Sequence, residues 1–293
     1  MKVGLLDVDN NQKFPNLPLM KLSAYHKNRG DEVELFNPMF QYDLVYQQKI
    51  FSEEYYPHYQ YHINADEVRM GGTGYDLTNK LQAEIEHIYP DYSLFPELTK
   101  NTAYGFLTRG CPRGCSFCIV QQKEGCISKQ VADLKEFWRG QKEIKLLDPN
   151  ITACKNKENL FKQLIDSKAY IDFTQGIDAR LLTKEDCQLI NKMKIKMIHF
   201  AWDFPEQDLR PYLANASKYI DLDSRKKRVY VLTNYGSDLQ EDLYRIYWLR
   251  ENGFDPYVMV CNKWEAPKEI RRLQRWVNMK AIFRSVENFE DYV

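Results

Sequence analysis

The chain has 293 residues, of which 44% are hydrophobic and 28% are charged. This length and composition are typical of a folded protein with one large domain and one smaller domain, and they argue against a disordered chain. Forty-one basic residues balance forty-one acidic residues, so the net charge directs the protein neither to nucleic acid nor to an anionic membrane.

The first residues of the chain do not have the pattern of a signal peptide, because the apolar run there is short and is interrupted by Asp7 and Asp9. No apolar run approaches the roughly 20 residues that a membrane-spanning helix needs. We therefore expect a cytoplasmic protein with no membrane partner. Thiols stay reduced in that compartment, so the seven cysteines are expected to be metal ligands or core residues before disulfides.

Residues 1 to 80 are predicted to form a small Rossmann-like α/β layer. The run KVGLLDV predicts a first strand, a helical pattern ends at Gly30, and DEVELFN predicts a second strand. Residues 40–66 are rich in tyrosine and are expected to be less regular, and DEVRMGGTGYD predicts a short strand that runs into a glycine turn. Residues 81–100 are predicted to be a connector.

From residue 103 onward, six apolar runs alternate with charged amphipathic segments. This rhythm predicts a parallel sheet, in which functional loops follow the carboxyl ends of the strands. The tail from Lys263 predicts one basic amphipathic helix. We predict three parts of the chain, at residues 1–98, 99–262 and 263–293. The six runs are AYGFLTRG, EIKLLDPN, YIDFTQGID, KMIHFAWD, RVYVLTNYG and DPYVMVCN.

Three cysteines, Cys111, Cys115 and Cys118, lie close together on a glycine-containing loop that follows the first of these runs. A structural zinc site needs a fourth ligand, for which Cys126 is the nearest candidate, but a first gap of three residues is unusual for zinc. Three thiolates on a compact loop instead suit three irons of a [4Fe-4S] cluster, whose fourth iron stays open to another ligand.

The sequence CPRGCSFC, on a loop after the first of six β/α units, resembles the radical S-adenosylmethionine superfamily over residues 100 to 262. The resemblance implies a partial (β/α)6 TIM-like barrel, a [4Fe-4S] cluster on Cys111, Cys115 and Cys118, and S-adenosylmethionine on the open iron. In that superfamily an electron from the cluster cleaves S-adenosylmethionine to methionine and a 5′-deoxyadenosyl radical, which abstracts a hydrogen atom from the substrate. It also implies an electron donor such as flavodoxin or ferredoxin, and a small-molecule or macromolecular substrate that the sequence does not identify.

Other cofactor-binding positions follow from the resemblance, each with a structural alternative. Phe117 is expected to pack beside the adenine, or to be an ordinary loop aromatic. The family's glycine-rich segment after the second strand is replaced by LLDPNITA, in which Asp148 and Asn150 could accept hydrogen bonds from the methionine ammonium group; Asn150 could equally cap a helix. Asp203 and Asn234 end the fourth and fifth strands, where relatives use polar groups on the ribose.

After the third strand, Gln175, Asp178 and Arg180 are expected to project toward the mouth of the barrel. Arg180 is the expected partner of a carboxylate, because a guanidinium binds one bidentately. A surface ion pair with Asp178 or Glu185 is the alternative. The other four cysteines, Cys126, Cys154, Cys187 and Cys261, lack ligand-like spacing and are expected to be inert packing residues, with a reservation for Cys126 because it is near the cluster loop. His26 and His199 are expected to be core or surface histidines rather than ligands.

Residues 1–98 resemble, more loosely, the cobalamin-binding domain that precedes the barrel in one branch of the superfamily. The Asp-x-His-x-x-Gly sequence that supplies a histidine to cobalt in many such domains is absent. We expect no bound cobalamin, with Gly71, Gly72 and Gly74 forming only a turn. Cobalamin held by its tail near these glycines is the alternative.

The resemblance therefore predicts a radical S-adenosylmethionine enzyme. Methylthiotransferases of tRNA also join an α/β domain to such a barrel, but their first domain carries three further cysteines and residues 1–98 contain none, which disfavours that subclass. The alternative function is a nucleic-acid-binding or regulatory iron–sulfur protein without turnover. It is suggested by SRKKR at 224–228 and by the basic residues of the tail, which acidic neighbours dilute.

Overall fold

The computed structural model describes residues 1–9, 13–52 and 61–292. The chain divides into two compact units, Met1–Lys145 and Leu146–Val293. The three predicted parts, with boundaries after residues 98 and 262, remain predictions.

The first unit begins with a four-stranded parallel sheet in the order β2-β1-β3-β4. One helix, α1, connects its first two strands, and the amide oxygen of Asn16 caps that helix by accepting a hydrogen bond from the Leu19 amide (3.3 Å). Gly30 follows the helix with φ +81°, the left-handed conformation that glycine tolerates best. The elements are β1 Lys2–Asp7, α1 Leu17–Asn28, β2 Glu32–Leu35, β3 Tyr42–Gln48 and β4 Ala65–Gly71.

Strand β3 corrects one sequence-based expectation, because residues 40–66 were expected to be less regular. It lies between β1 and β4 and buries Tyr42, Leu44 and Val45 in the core of the layer. The part of that expectation that concerns residues 53–60 lies outside the described residues. The other predicted elements of this layer, two strands, a helix and a strand before the glycine turn, are confirmed.

The rest of the first unit contains short elements. The predicted connector holds two one-turn helices, and β5 lies beside β8 in a sheet. Between them β6 and β7 form a two-stranded antiparallel ladder. The elements are α2 Ala83–Glu86, α3 Pro96–Thr99, β5 Thr102–Gly105, β6 Thr108–Arg109, α4 Val120–Glu124, β7 Lys129–Gln130 and β8 Glu143–Leu146.

In the second unit four parallel strands alternate with helices in the order β9-β10-β11-β12. All six predicted apolar runs are strands, and the parallel α/β architecture is confirmed; closure into a partial barrel remains a prediction. The elements are α5 Lys157–Ser167, β9 Tyr170–Phe173, α6 Lys184–Asn191, β10 Lys194–Ala201, α7 Arg210–Tyr219, β11 Lys227–Thr233, α8 Leu239–Glu251, β12 Asp255–Val260, α9 Lys268–Asn278 and α10 Lys280–Ser285.

The C-terminal helices pack on this sheet. Leu273, Trp276 and Val277 of α9 are fully buried in one cluster with Ile246 of α8 and Val258 of β12. The apolar face of the tail is therefore part of the core, and its charged face is left to solvent. None of the helices in the described ranges combines the length and the apolar character needed to cross a membrane.

Candidate functional site

The three clustered cysteines lie on a closed loop in the first unit, which we call the cysteine loop (residues 110–128). The ladder of β6 and β7 closes it, with Thr108 opposite Gln130 and Arg109 opposite Lys129. The side chains of Cys111, Cys115 and Cys118 are half-buried, and that of Phe117 is 41% exposed. The sequence therefore places three thiols at the surface of a loop that is fixed at both ends.

Two glycines give the cysteine loop its shape. Gly110 has φ +91°, and a β-carbon at this position would overlap the backbone oxygen of Ile127. Gly114, between the first and second cysteines, has φ +61°. Both positions favour glycine, because any residue with a side chain would have a strained backbone there.

Backbone hydrogen bonds hold the first and last cysteines in place. The Cys111 amide donates to the Gly125 oxygen (3.1 Å), and the Cys118 amide donates to the Cys115 oxygen (2.9 Å). The side chain of Gln121 donates to the Cys111 oxygen (3.2 Å). The loop backbone is thus fixed through main-chain atoms and the Gln121 side chain.

The donor chemistry of this loop fits iron, because thiolates are the usual ligands of iron–sulfur clusters. Within residues 1–9, 13–52 and 61–292, however, no group of three or more His, Cys, Asp or Glu side chains is gathered so that it could hold a metal ion. The three thiols must therefore turn toward one another to bind a cluster.

In the second unit, several of the predicted residues join one hydrogen-bonded group, the strand-end cluster (Asn150, Thr152, Asp178, Arg180 and Gln207). The Thr152 hydroxyl donates to Asn150 Oδ1 (2.8 Å) and accepts from the Asp178 amide (3.2 Å). Arg180 donates through Nε to Asp178 Oδ1 (2.8 Å) and through Nη1 to Gln207 Oε1 (2.9 Å). These residues come from the segments after β8, β9 and β10, as the parallel topology requires.

Two structural alternatives are thus present in this cluster. Asn150 caps the short 3-10 helix Ile151–Ala153, since its Oδ1 also accepts from the Ala153 amide (3.2 Å). Arg180 forms the ion pair with Asp178. That pair orients the guanidinium group, which has Gln207 as its second partner.

Asp203, at the end of β10, is mostly buried, and burial raises the pKa of its carboxyl group to about 6. The positive charges of Arg245 and Arg180 oppose this increase without cancelling it. The buried Arg245 side chain donates to the backbone oxygens of Trp202 (2.7 Å) and Asp203 (3.1 Å). Asp203 is therefore a carboxyl group that titrates near neutral pH close to two guanidinium groups.

The remaining predicted residues are dispersed. Asp148 is buried and Gln175 is exposed. Asn234 has the left-handed backbone conformation, with φ +58°, and its Nδ2 donates to the Cys261 oxygen (2.8 Å). Its observed role is a turn after β11.

The glycine turn after β4 approaches the protein's own backbone. A β-carbon at Gly72 would overlap the Lys49 oxygen, and one at Gly74 would overlap the Phe51 oxygen. The Gly74 amide also donates to the Lys49 oxygen (3.0 Å). These glycines are therefore accounted for by a tight turn.

Sequence reasoning missed Thr152, Gln207 and Arg245. Thr152 lies in the LLDPNITA segment, but nothing in its sequence indicates that its hydroxyl bridges Asn150 and Asp178. Arg245 has the helical context of a solvent-exposed residue, and only the packing of α8 shows that it is buried.

Two of the other four cysteines are packing residues, as expected, whereas Cys126 is not. Cys154 and Cys187 are buried, and burial raises the pKa of the Cys187 thiol to about 11. Cys126 is exposed. His26 is buried between Asp31 (2.7 Å) and the Tyr46 hydroxyl (3.1 Å).

Comparisons with known proteins give a distant and partial similarity. No protein-family model matches the chain. Over 133 residues it is 27% identical to ribosomal protein uS12 methylthiotransferase RimO of Pseudomonas aeruginosa (strain UCBPP-PA14), covering 42% of this chain and 28% of that protein. Over 180 residues it is 26% identical to the protein of the same name from Vibrio vulnificus (strain YJ016), covering 53% and 36%. The chain thus spans about a third of the length of these curated relatives.

Proposed function

We propose that the protein is a radical S-adenosylmethionine enzyme whose [4Fe-4S] cluster is held by Cys111, Cys115 and Cys118. The observation that carries this proposal is the cysteine loop, in which three half-buried thiols share one glycine-shaped segment closed by β6 and β7. When bound, the cluster would supply the electron that cleaves S-adenosylmethionine. The protein's part is to hold the thiolates, orient the cofactor and exclude water.

The strand-end cluster supplies the groups proposed to hold S-adenosylmethionine. Asp178 fixes Arg180 through Nε, so a carboxylate that replaces Gln207 would meet an oriented guanidinium group. Asp203 and Asp148 offer carboxylate oxygens for hydroxyl or ammonium groups. In this proposal Asn150 contributes by capping the short helix Ile151–Ala153. Asn234 contributes by forming the turn after β11.

The comparisons support the same class of enzyme. Methylthiotransferases form one branch of the superfamily that the cysteine motif resembles, and the relatives carry that activity in their names. Residues 1–98 contain no cysteine for a second cluster, so we do not assign the methylthiotransferase reaction.

The structure weakens the main argument for the alternative function, a nucleic-acid-binding iron–sulfur protein, which is the basic motif SRKKR at residues 224–228. Within SRKKR, Lys226 donates to the Ile195 oxygen (3.1 Å), and the buried Lys227 donates to the Ser217 hydroxyl (3.1 Å). Arg228 forms an ion pair with Asp255 (2.9 Å). Three of the four basic side chains are therefore engaged within the protein, and little charge is left for phosphates.

We further propose that the first layer does not bind cobalamin and that a flavodoxin or ferredoxin supplies the electron. Gly72 and Gly74 lie so close to the protein's own backbone that a tight turn accounts for them without a bound ligand. Incubation of the protein with hydroxocobalamin, followed by desalting, should give a colourless protein. A stoichiometric coloured complex would refute this part of the proposal.

The cluster proposal is tested by anaerobic reconstitution with iron and sulfide. The parent protein should bind about four irons per chain and show thiolate-to-iron charge-transfer absorbance. Replacement of Cys111, Cys115 or Cys118 by alanine should remove most of that absorbance, while Cys126→Ala, a matched control on the same loop, should keep it. A triple variant that still binds the parent amount of iron would contradict the assignment.

A further inference from the structure

A chain of charged side chains runs from helix α1 to the cysteine loop within the first unit. It begins at Lys21, whose side chain is only 11% exposed and whose Nζ lies 2.9 Å from Glu86 Oε1. The same Nζ donates to the Glu86 backbone oxygen. Glu86 is the last residue of α2, so the buried lysine fixes both the side chain and the backbone at the end of that helix.

Arg109 is the next member of the chain. Its Nη2 lies 3.3 Å from Glu86 Oε1, and its Nη1 lies 2.8 Å from Glu124 Oε1. The guanidinium group also lies 3.9 Å from the centre of the Phe106 ring. Arg109 therefore links the acidic residue that ends α2 to the acidic residue that ends α4.

Glu124 makes the contact with the cysteine loop. Its side chain is 9% exposed, and its second oxygen accepts a hydrogen bond from the Gly110 amide (3.3 Å). Gly110 is the residue directly before Cys111, and the Cys111 amide donates to the oxygen of Gly125, directly after Glu124. One carboxylate thus holds Arg109 on one oxygen and the start of the loop on the other.

We infer that Glu124 is the positioning residue of the cysteine loop and that Lys21, Glu86 and Arg109 hold it in place. This inference rests on the proposed function, because it assigns these residues to the retention of the cluster. Exposed ion pairs contribute little, but Glu124 and Lys21 are nearly buried, and a buried charge without its partner is costly. The first layer then has a role in this enzyme that needs no cofactor of its own.

The inference is tested with two isosteric variants and two matched controls. Glu124→Gln keeps an oxygen for the Gly110 amide but removes the charge that binds Arg109, and Lys21→Met removes the charge at the other end. Lys27→Met breaks an exposed pair with Asp91 (2.7 Å) on the same helix α1, and Glu158→Gln breaks an exposed pair with Lys162 (2.7 Å). After reconstitution, an excess of a chelator is added and the decay of the charge-transfer absorbance is timed.

Both test variants should lose the cluster roughly 10- to 100-fold faster than the parent protein, as is usual for residues that orient metal ligands. The controls should decay at the parent rate. The reduced cluster of Glu124→Gln should also give a heterogeneous electron paramagnetic resonance spectrum, which a loss of global stability would not produce. The conservative variant Arg109→Lys, which keeps the charge, should retain the cluster longer than Arg109→Met.

Decay at the parent rate in both test variants would overturn the inference while leaving the proposed function intact. So would faster decay that matches a fall in the melting temperature of the iron-free protein and is equally large in the controls. If Lys21→Met does not fold, the comparison of the two Arg109 variants decides the question in the same way. A parent protein that binds no iron would refute the proposed function and this inference with it.

Discussion

At the residue scale, the buried carboxyl group of Asp203 makes the stability of the protein depend on pH. Its folded-state pKa is raised to about 6 by burial, whereas the carboxyl group of the unfolded chain titrates near its ordinary value of 3.8. Between these two values the folded protein binds the proton more tightly than the unfolded chain does. Asp203 therefore favours folding at low pH, and this contribution is lost as the pH rises through about 6.

We expect Asp203→Asn to be more stable than the parent protein at pH 8, because the variant buries no charge. A difference of two pKa units corresponds to about 3 kcal/mol, and partial exposure reduces the expected gain to about 1 to 2 kcal/mol. The gain should shrink as the pH falls below 6. Urea denaturation at several pH values measures it, and a constant difference between the two proteins from pH 4 to pH 8 would show that Asp203 does not titrate as described.

Arg180→Lys is expected to weaken the binding of S-adenosylmethionine. A lysine keeps the charge, but its single ammonium group cannot replace the guanidinium fork that contacts both Asp178 and Gln207. The dissociation constant should rise on the order of tenfold. Arg210→Lys, which alters an exposed pair with Asp208 (2.8 Å), is the matched control. Unchanged affinity in Arg180→Lys would remove Arg180 from the proposed site.

Arg180, Asn150 and Thr152 show which contacts of single residues can be predicted from the sequence. Both alternatives given for Arg180 and Asn150 were local ones, an ion pair two residues away and a helix cap, and the structure contains both. The bond between Thr152 and the Asp178 amide was not predictable, because it joins residues 26 positions apart. Such a contact depends on how neighbouring strands are aligned, and no pattern of residue types encodes that alignment directly.

At the element scale, the predictions were accurate where apolar runs are long and regular. All six runs after residue 103 are strands, and α9 packs its apolar face on β12. Strand β3 was missed because its sequence, YDLVYQQ, interrupts the apolar pattern, and its neighbours in the sheet supply the pairing that stabilises it. The three cysteines were expected on a loop after the first of these strands, and the segment between β5 and β8 holds that loop between the short strands β6 and β7, which were not predicted.

The shape of the cysteine loop should depend on Gly110. Gly110→Ala would strain the backbone at φ +91° and would also push a methyl group into the Ile127 oxygen. Gly140→Ala is the control, because Gly140 has φ +100° but open space around the added carbon. We expect Gly110→Ala to bind much less iron after reconstitution and Gly140→Ala to bind the parent amount. Equal iron content in both variants would contradict the importance of this close approach.

At the scale of the whole molecule, the cysteine loop belongs to the first compact unit and the strand-end cluster to the second. The cysteine loop carries the proposed cluster ligands, and the strand-end cluster carries the proposed cofactor-orienting groups. The sequence motif carries the first assignment, since spacing alone defines it. The second rests on residues that follow three different strands, and it could be named from the sequence only through the resemblance.

The most direct test of the central claim is the formation of 5′-deoxyadenosine. The reconstituted parent protein, reduced with dithionite under anaerobic conditions and given S-adenosylmethionine, should release 5′-deoxyadenosine and methionine. Cys118→Ala should release neither above background, and Cys126→Ala should match the parent. A reconstituted parent protein that holds its iron but forms no 5′-deoxyadenosine, or a Cys118→Ala variant that forms it at the parent rate, would contradict the account.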